Sequence, residues 1–242
     1  MNIWGITDVG AVRQQNQDSY YIEQVEPDMG LGLVCDGMGG ARAGNVASRL
    51  AVETFRDTAH GQTQDQWRGE PEALLHFAAE QANQAVWYRA GIDPDCRGMG
   101  TTMVAALVIG ETAYLLNIGD SRAYLVREDG ISRITRDHSV VEDLVARGDI
   151  TPEQARQHPQ KNLITRALGA EEKVRADLYR QKVAPGDTLL LCSDGLINVV
   201  TDQEILYEVI HGGAHENCCR RLLDIALSRG APDNVTVVLM QM

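Results

Sequence analysis

Apolar positions change their period several times along the chain, and those changes mark its elements. Residues 2–7 form a short apolar run suited to an edge strand, and 8–18 (DVGAVRQQNQD) is polar and reads as a loop. Residues 19–25 are β-rich and should pair beside 31–40 (LGLVCDGMGG), a buried strand that stops on Asp36 at a run of glycines. From Ala41 the spacing turns helical, with Val46, Leu50, Val52 and Phe55 marking a helix that reaches about residue 59. A polar loop is expected at 61–69. Pro71 then opens a second helix, on which Leu74, Leu75, Ala78, Ala82, Ala85 and Val86 recur.

Strand character returns at 98–109, 112–118 and 122–127, and the short Gly-Glu and Gly-Asp-Ser links predict a meander. A short strand follows at 131–135. Residues 136–166 hold no strand pattern, only helical stretches near 140–146 and 152–157, so this polar insert with His138 and His158 is expected to be a flap. Strands resume at 174–183 and 187–192. Thr201 and Glu204 make the capping box of a helix, 215–229 is an amphipathic helix, and 235–240 is the last strand. Two strand blocks, with helix pairs before the last strand and after the third, predict an α/β layered fold of the α+β type. Its sheets should be mainly antiparallel, because the short links leave no room for βαβ crossovers. No repeat or linker divides residues 1–242, so one domain is expected.

The same local design occurs four times: an apolar run beside an acid. Asp36-Gly37 follows 31–35, Asp194-Gly195 follows the run in DTLLLCSDG, Asp120 follows AYLLNIG, and Asp233 precedes NVTVVL. One Asp-Gly is most simply a turn. Four such ends meeting would crowd carboxylates at a cost of several kcal/mol, about the desolvation cost of an unpaired charge, unless cations sit among them. An all-oxygen donor set without His or Cys selects Mg²⁺, Mn²⁺ or Ca²⁺ over zinc or copper.

Charge narrows the choice of partner. With 34 acidic residues against 22 basic ones, a net charge of -12 excludes the basic surface that nucleic acid or an anionic membrane requires. The five cysteines show no CxxC spacing, and Cys35 and Cys192 fall inside apolar strands, which fits a reducing cytoplasm. Neither a signal peptide nor an apolar run long enough to span a membrane is expected.

Taken in order, RQQNQDS (13–19), CDGMGG (35–40), GTT (100–102), NIGDSRAY (117–124), TRDHS (135–139), ITRALG (164–169), CSDGL (192–196) and PDNVTVV (232–238) resemble the bacterial metal-dependent serine/threonine protein phosphatases of the type 2C (PPM) class. The resemblance implies a four-layer αββα sandwich, two antiparallel sheets flanked by helix pairs, with a binuclear Mn²⁺ or Mg²⁺ centre at one edge. By motif matching it implies that Asp36 bridges the two ions, that the Gly37 carbonyl serves one of them, and that Asp194 and Asp233 hold the other. Asp120 with Asp194 matches a third, weaker ion site. Arg13 matches the phosphate-binding arginine, and Asp18 the acid beside the waters on the metals. The implied reaction is hydrolysis of phosphoserine and phosphothreonine in proteins by a metal-activated water, without a phosphoenzyme. Implied partners are phosphoproteins and a cognate Ser/Thr kinase, with the phosphatase itself a monomer. The chain departs from the eukaryotic pattern at Met38, where a histidine would serve as acid, and at Gln17, where a further acid would stand.

Other readings compete. A catalytically dead relative would have lost ligand positions, yet each of these acids is present. A Mg²⁺-dependent nuclease would need basic and aromatic residues near the acids, and aromatic residues are only 5% of the chain. A calcium-stabilised module would show EF-hand spacing, which is missing. His138 is expected to brace the loop after its strand rather than to act in catalysis.

Overall fold

The computed structural model describes residues 1–242, apart from the side chains at 40–42. Its strands in chain order are β1 (Asn2–Asp8), β2 (Asp18–Glu26), β3 (Met29–Met38), β4 (Gly100–Thr101), β5 (Met103–Ile109) and β6 (Thr112–Ile118). They continue with β7 (Arg122–Arg127), β8 (Gly130–Arg133), β9 (Asp177–Lys182), β10 (Thr188–Cys192) and β11 (Val235–Gln241). One antiparallel sheet has the order β1-β11-β10-β7-β8 and the other β2-β3-β5-β6-β9, with β4 paired to the end of β3.

The helices are α1 (Gly40–His60), α2 (Gln64–Gly69), α3 (Pro71–Ile92), α4 (Val140–Arg147), α5 (Pro152–Arg156), α6 (Asp194–Ile197), α7 (Asp202–His211) and α8 (Cys218–Ser228). Alternation along each strand sorts its side chains between two apolar layers. In β3, Leu31, Leu33 and Cys35 pack under α1 and α3, while Val34 points into the space between the sheets with Val104, Leu115, Leu191 and Val238. A third apolar layer joins the outer face of the first sheet to α7 and α8 through Leu190, Val237, Ile205, Val209 and Leu222. The result is the expected αββα sandwich.

Three local expectations are corrected. Residues 98–127 do not form a meander: β5 and β6 pair, but β7 belongs to the other sheet, between β8 and β10. Gly119 explains the crossing. It sits at φ +105°, where a side chain is strained, and an added Cβ would come within 2.6 Å of Thr102. The chain therefore turns over Thr102 into the first sheet instead of folding back. The 61–69 segment is not all loop, since Thr63 caps α2 through a reciprocal box with Gln66. Trp67 anchors that helix, buried and donating from Nε1 to the Ala59 carbonyl at 2.9 Å. Finally, Asp194 does not simply follow a strand but opens the one-turn helix α6.

Register places the candidate acids. Antiparallel pairing lines up Asp8 with Val235, and Val237 and Arg122 with Cys192, at one end of the first sheet. In the second sheet it lines up Asp18 with Asp36, and Met103 with Ile118. The chain crosses between the sheets at 9–17 and at 119–121, next to these rows.

Candidate active site

A cleft of about 620 Å³ opens at this end of the sandwich, and Asp36, Gly37, Asp120, Asp194 and Asp233 all line it together with Arg13. Asp36 is not the last residue of its strand. Its backbone is locked from the neighbouring chain: Asp36 N donates to Thr102 Oγ1, and its carbonyl accepts from Thr102 N and Thr101 Oγ1, each at 2.9 Å. The strand continues because Gly37 and Met38 pair with Thr101 and Gly100. At Gly37 a Cβ would lie 2.1 Å from the Gly44 carbonyl oxygen, so only glycine permits this approach of strand to helix.

Asp18 lies beneath the cleft rather than in its lining. It is buried, with Oδ2 accepting from Ser193 Oγ at 2.7 Å and from Thr236 Oγ1 at 2.6 Å, while Oδ1 has no partner. Asp194 repeats the pattern: Oδ2 accepts from Asn198 Nδ2 at 3.0 Å and Oδ1 is buried and unpartnered. An orphaned carboxylate oxygen in a protein interior costs about 1–3 kcal/mol or more, so two at one site ask for a ligand.

Electrostatics point the same way. Burial, followed by the Asp18, Asp194, Asp120 and Asp233 charges, pushes the Asp36 carboxyl well above its ordinary range. Burial and then the Asp194 charge carry Asp120 up to about 8. Asp194 is raised by burial and then by Asp233, and Asp18 rises to about 6, mainly through burial, against the hydrogen bonds from Thr236 and Ser193. Without a cation these acids hold protons to relieve one another, and hard cations would relieve them better. The donor set fits Mn²⁺ or Mg²⁺. Among the described residues no three His, Cys, Asp or Glu side chains already surround one cation position, so backbone oxygen and water would complete any coordination shell.

Arg13 stands 55% exposed on the 9–17 crossing, and its Nη2 donates to Asp233 Oδ2 at 2.7 Å. That contact, first of all, raises the guanidinium pKa, and the charge stays fixed. The crossing is clipped by Asn234, whose Oδ1 accepts from Gln17 N at 2.8 Å and whose Nδ2 donates to the Val9 and Gln15 carbonyls at 2.9 and 3.0 Å.

Sequence reasoning passed over Asn234, Ser193 and Thr236 as individual functional residues. The one signal available was their position next to, or within three residues of, a flagged acid. His138 does not face the cleft. It is buried, its Nδ1 accepts from Gly119 N at 3.0 Å, and its Nε2 meets Asp177 Oδ2 at 3.2 Å. Accepting at Nδ1 fixes the proton on Nε2 and braces the turn that carries Asp120. His158 also lies outside the cleft, whereas Asn162 and Ile164 of the 136–166 insert line it.

Residues 11–228 match the family described as Protein phosphatase 2C. The serine/threonine phosphatase stp of Listeria innocua is 37% identical over 97% of this chain and 93% of its own length. The crystal structure of the Mycobacterium tuberculosis serine/threonine phosphatase PstP/Ppp superposes with a TM-score of 0.90 at 38% identity, covering 100% of this chain and 98% of that one. A second structure, the PstP catalytic domain in complex with two manganese ions, has a TM-score of 0.86 at 37% identity over 98% and 96% of the two chains. A cleft of crowded carboxylates at one end of an αββα sandwich, in a chain matched to these enzymes almost from end to end, leaves one assignment: the chain belongs to the protein phosphatase 2C family and is a bacterial-type PPM protein serine/threonine phosphatase.

Proposed function

We propose that the chain hydrolyses phosphoserine and phosphothreonine in proteins by direct attack of water, with no phosphoenzyme. Two Mn²⁺ or Mg²⁺ ions would be held by Asp36, the Gly37 carbonyl, Asp194 and Asp233, and a third, weaker ion by Asp120 and Asp194. The supporting observation is the gathering of acids from distant segments at one cleft, with buried orphan oxygens on Asp18 and Asp194. When bound, the cations supply Lewis acidity, offsetting phosphate charge and making water nucleophilic near neutral pH.

The chain's own groups do the rest. Arg13 exchanges Asp233 for the phosphate, since a planar guanidinium matches the spacing of two phosphate oxygens. Asn234 keeps the arginine loop in place, so the charge arrives already positioned. Ser193 and Thr236 hold Oδ2 of Asp18, leaving Oδ1 to accept a hydrogen bond from water entering the cleft. Met38 has no proton to give, and the leaving oxygen takes its proton from water. The insert at 136–166 acts as a flap that meets the polypeptide around the phosphoresidue, through Asn162 and Ile164.

The phosphoprotein, made by a partner Ser/Thr kinase, is met by a monomer in the cytoplasm. Five free, buried cysteines fit that reducing compartment, and among the described residues no helix is long and apolar enough to cross a membrane. The test is phosphate release from a phosphothreonine peptide by chelated and by Mn²⁺-reconstituted protein. Activity only after reconstitution is expected, and full turnover in excess chelator would contradict the reading.

A further inference from the structure

A second groove opens beside the cleft, and Met38 lines both. Its volume is about 800 Å³ and its walls are largely apolar, formed by the end of α3, by residues 98–100 and by residues 167–170. Trp87, Tyr88 and Ile92 stand 42%, 62% and 59% exposed there, an unusual gathering of large apolar side chains at one helix end.

The groove is built on the same backbone as the catalytic strand. Met38 pairs with Gly100, Gly37 with Thr101, and Thr101 with Leu168, whose amide and carbonyl exchange hydrogen bonds with Thr101 at 2.8 and 3.1 Å. Asn83, buried on α3, clips the far wall: its Oδ1 accepts from Gly169 N at 2.8 Å, and its Nδ2 donates to the Glu171 and Glu172 carbonyls at 3.1 and 3.0 Å. A wall held at three backbone points keeps its shape without an occupant.

We infer that this groove is a specificity subsite of the phosphatase, taking one large apolar or aromatic side chain of the substrate polypeptide close to its phosphoresidue. The inference rests on the phosphatase reading and adds to it the class of sequence preferred. Continuity with the cleft selects the occupant. Asp36 and Met38 are two residues apart on one strand, about 7 Å at the rise of an extended chain, so a bound extended peptide reaches the groove within about two to four residues of its phosphate. Among the described residues the groove's lining includes no cation to attract a second phosphate, and its apolar character suits Phe, Leu or Trp.

The test compares kcat/KM for phosphothreonine peptides bearing Phe or Ser at each position flanking the phosphoresidue, with p-nitrophenyl phosphate as a substrate too short to reach the groove. The wild-type chain should favour Phe by about tenfold at one position, the scale of half-burying such a side chain. Tyr88→Ser with Ile92→Ser, and separately Ala170→Trp to fill the groove, should lower kcat/KM for the Phe peptide about tenfold relative to p-nitrophenyl phosphate. Phe and Ser peptides cleaved equally at all positions would overturn the subsite while leaving the phosphatase intact. So would a Tyr88→Ser, Ile92→Ser effect confined to sedimentation, which would make the face a contact between two copies. Release from neither peptide nor p-nitrophenyl phosphate would overturn the phosphatase reading and the subsite with it.

Discussion

Asn234→Ala removes the clip on the arginine loop without touching a carboxylate. The side chain is 4% exposed and makes three hydrogen bonds, to Gln17 N and to the Val9 and Gln15 carbonyls. At about 1 kcal/mol net for each bond, the loss is about 3 kcal/mol, because water reaches the partly exposed loop and limits the desolvation cost. In a chain of this size that lowers Tm by about 6–12 °C. The same loss frees Arg13 from its position, so KM for a phosphomonoester should rise severalfold while kcat changes little. Thermal melting of the Mn²⁺-loaded protein and initial-rate kinetics read the two effects. Asn234→Asp is the control: it keeps the acceptor for Gln17 N, loses both donors and adds charge beside Asp233, so it should restore neither stability nor KM. A Tm within 1 °C of wild type and an unchanged KM in Asn234→Ala would refute the clip.

Asp36→Asn and Asp194→Asn should each reduce turnover by about a thousandfold or more, yet melt at or above the wild-type temperature in chelator, because each removes a carboxyl whose ionisation burial and its acidic neighbours oppose. A variant with normal turnover contradicts the metal assignment. Arg13→Ala should raise KM about tenfold with kcat largely kept, and an unchanged KM would remove its phosphate role. In chelator the protein should lose stability as pH rises from 6.5 to 8. Folding raises the Asp120 pKa from 3.8 to about 8, so the folded state binds that proton more tightly than the unfolded chain, and the advantage fades as pH climbs through the folded value. His138, whose pKa burial lowers from 6.5, acts with the opposite sign only below that window. Melting curves across the window check this, and a rising Tm would contradict it.

The elements were readable where a local pattern decided them. The apolar strand runs and the helix opened by Pro71 follow from side-chain spacing, and the pattern of an acid beside an apolar run picks out four of the cleft's residues. What escaped depended on distant partners. The Gly-Asp-Ser link at 119–121 suits a hairpin as well as a crossing between sheets, and the choice rests on Thr102 beneath Gly119. Trp67 looked like a loop residue because the carbonyl that satisfies its indole belongs to α1. Ser193 and Thr236 reach Asp18 across 175 and 218 residues of chain, a pairing no window of sequence exposes. Arg13 was visible as a candidate, but its resting contact with Asp233 was not.

The central claim is that these carboxyls are gathered to hold divalent ions. Equilibrium dialysis against Mn²⁺, with bound metal counted per chain, tests it without any substrate. Two bound ions in the wild-type protein, with clear loss in Asp36→Asn, is the predicted result. A wild-type chain that retains no Mn²⁺ or Mg²⁺ at millimolar concentration would contradict the account.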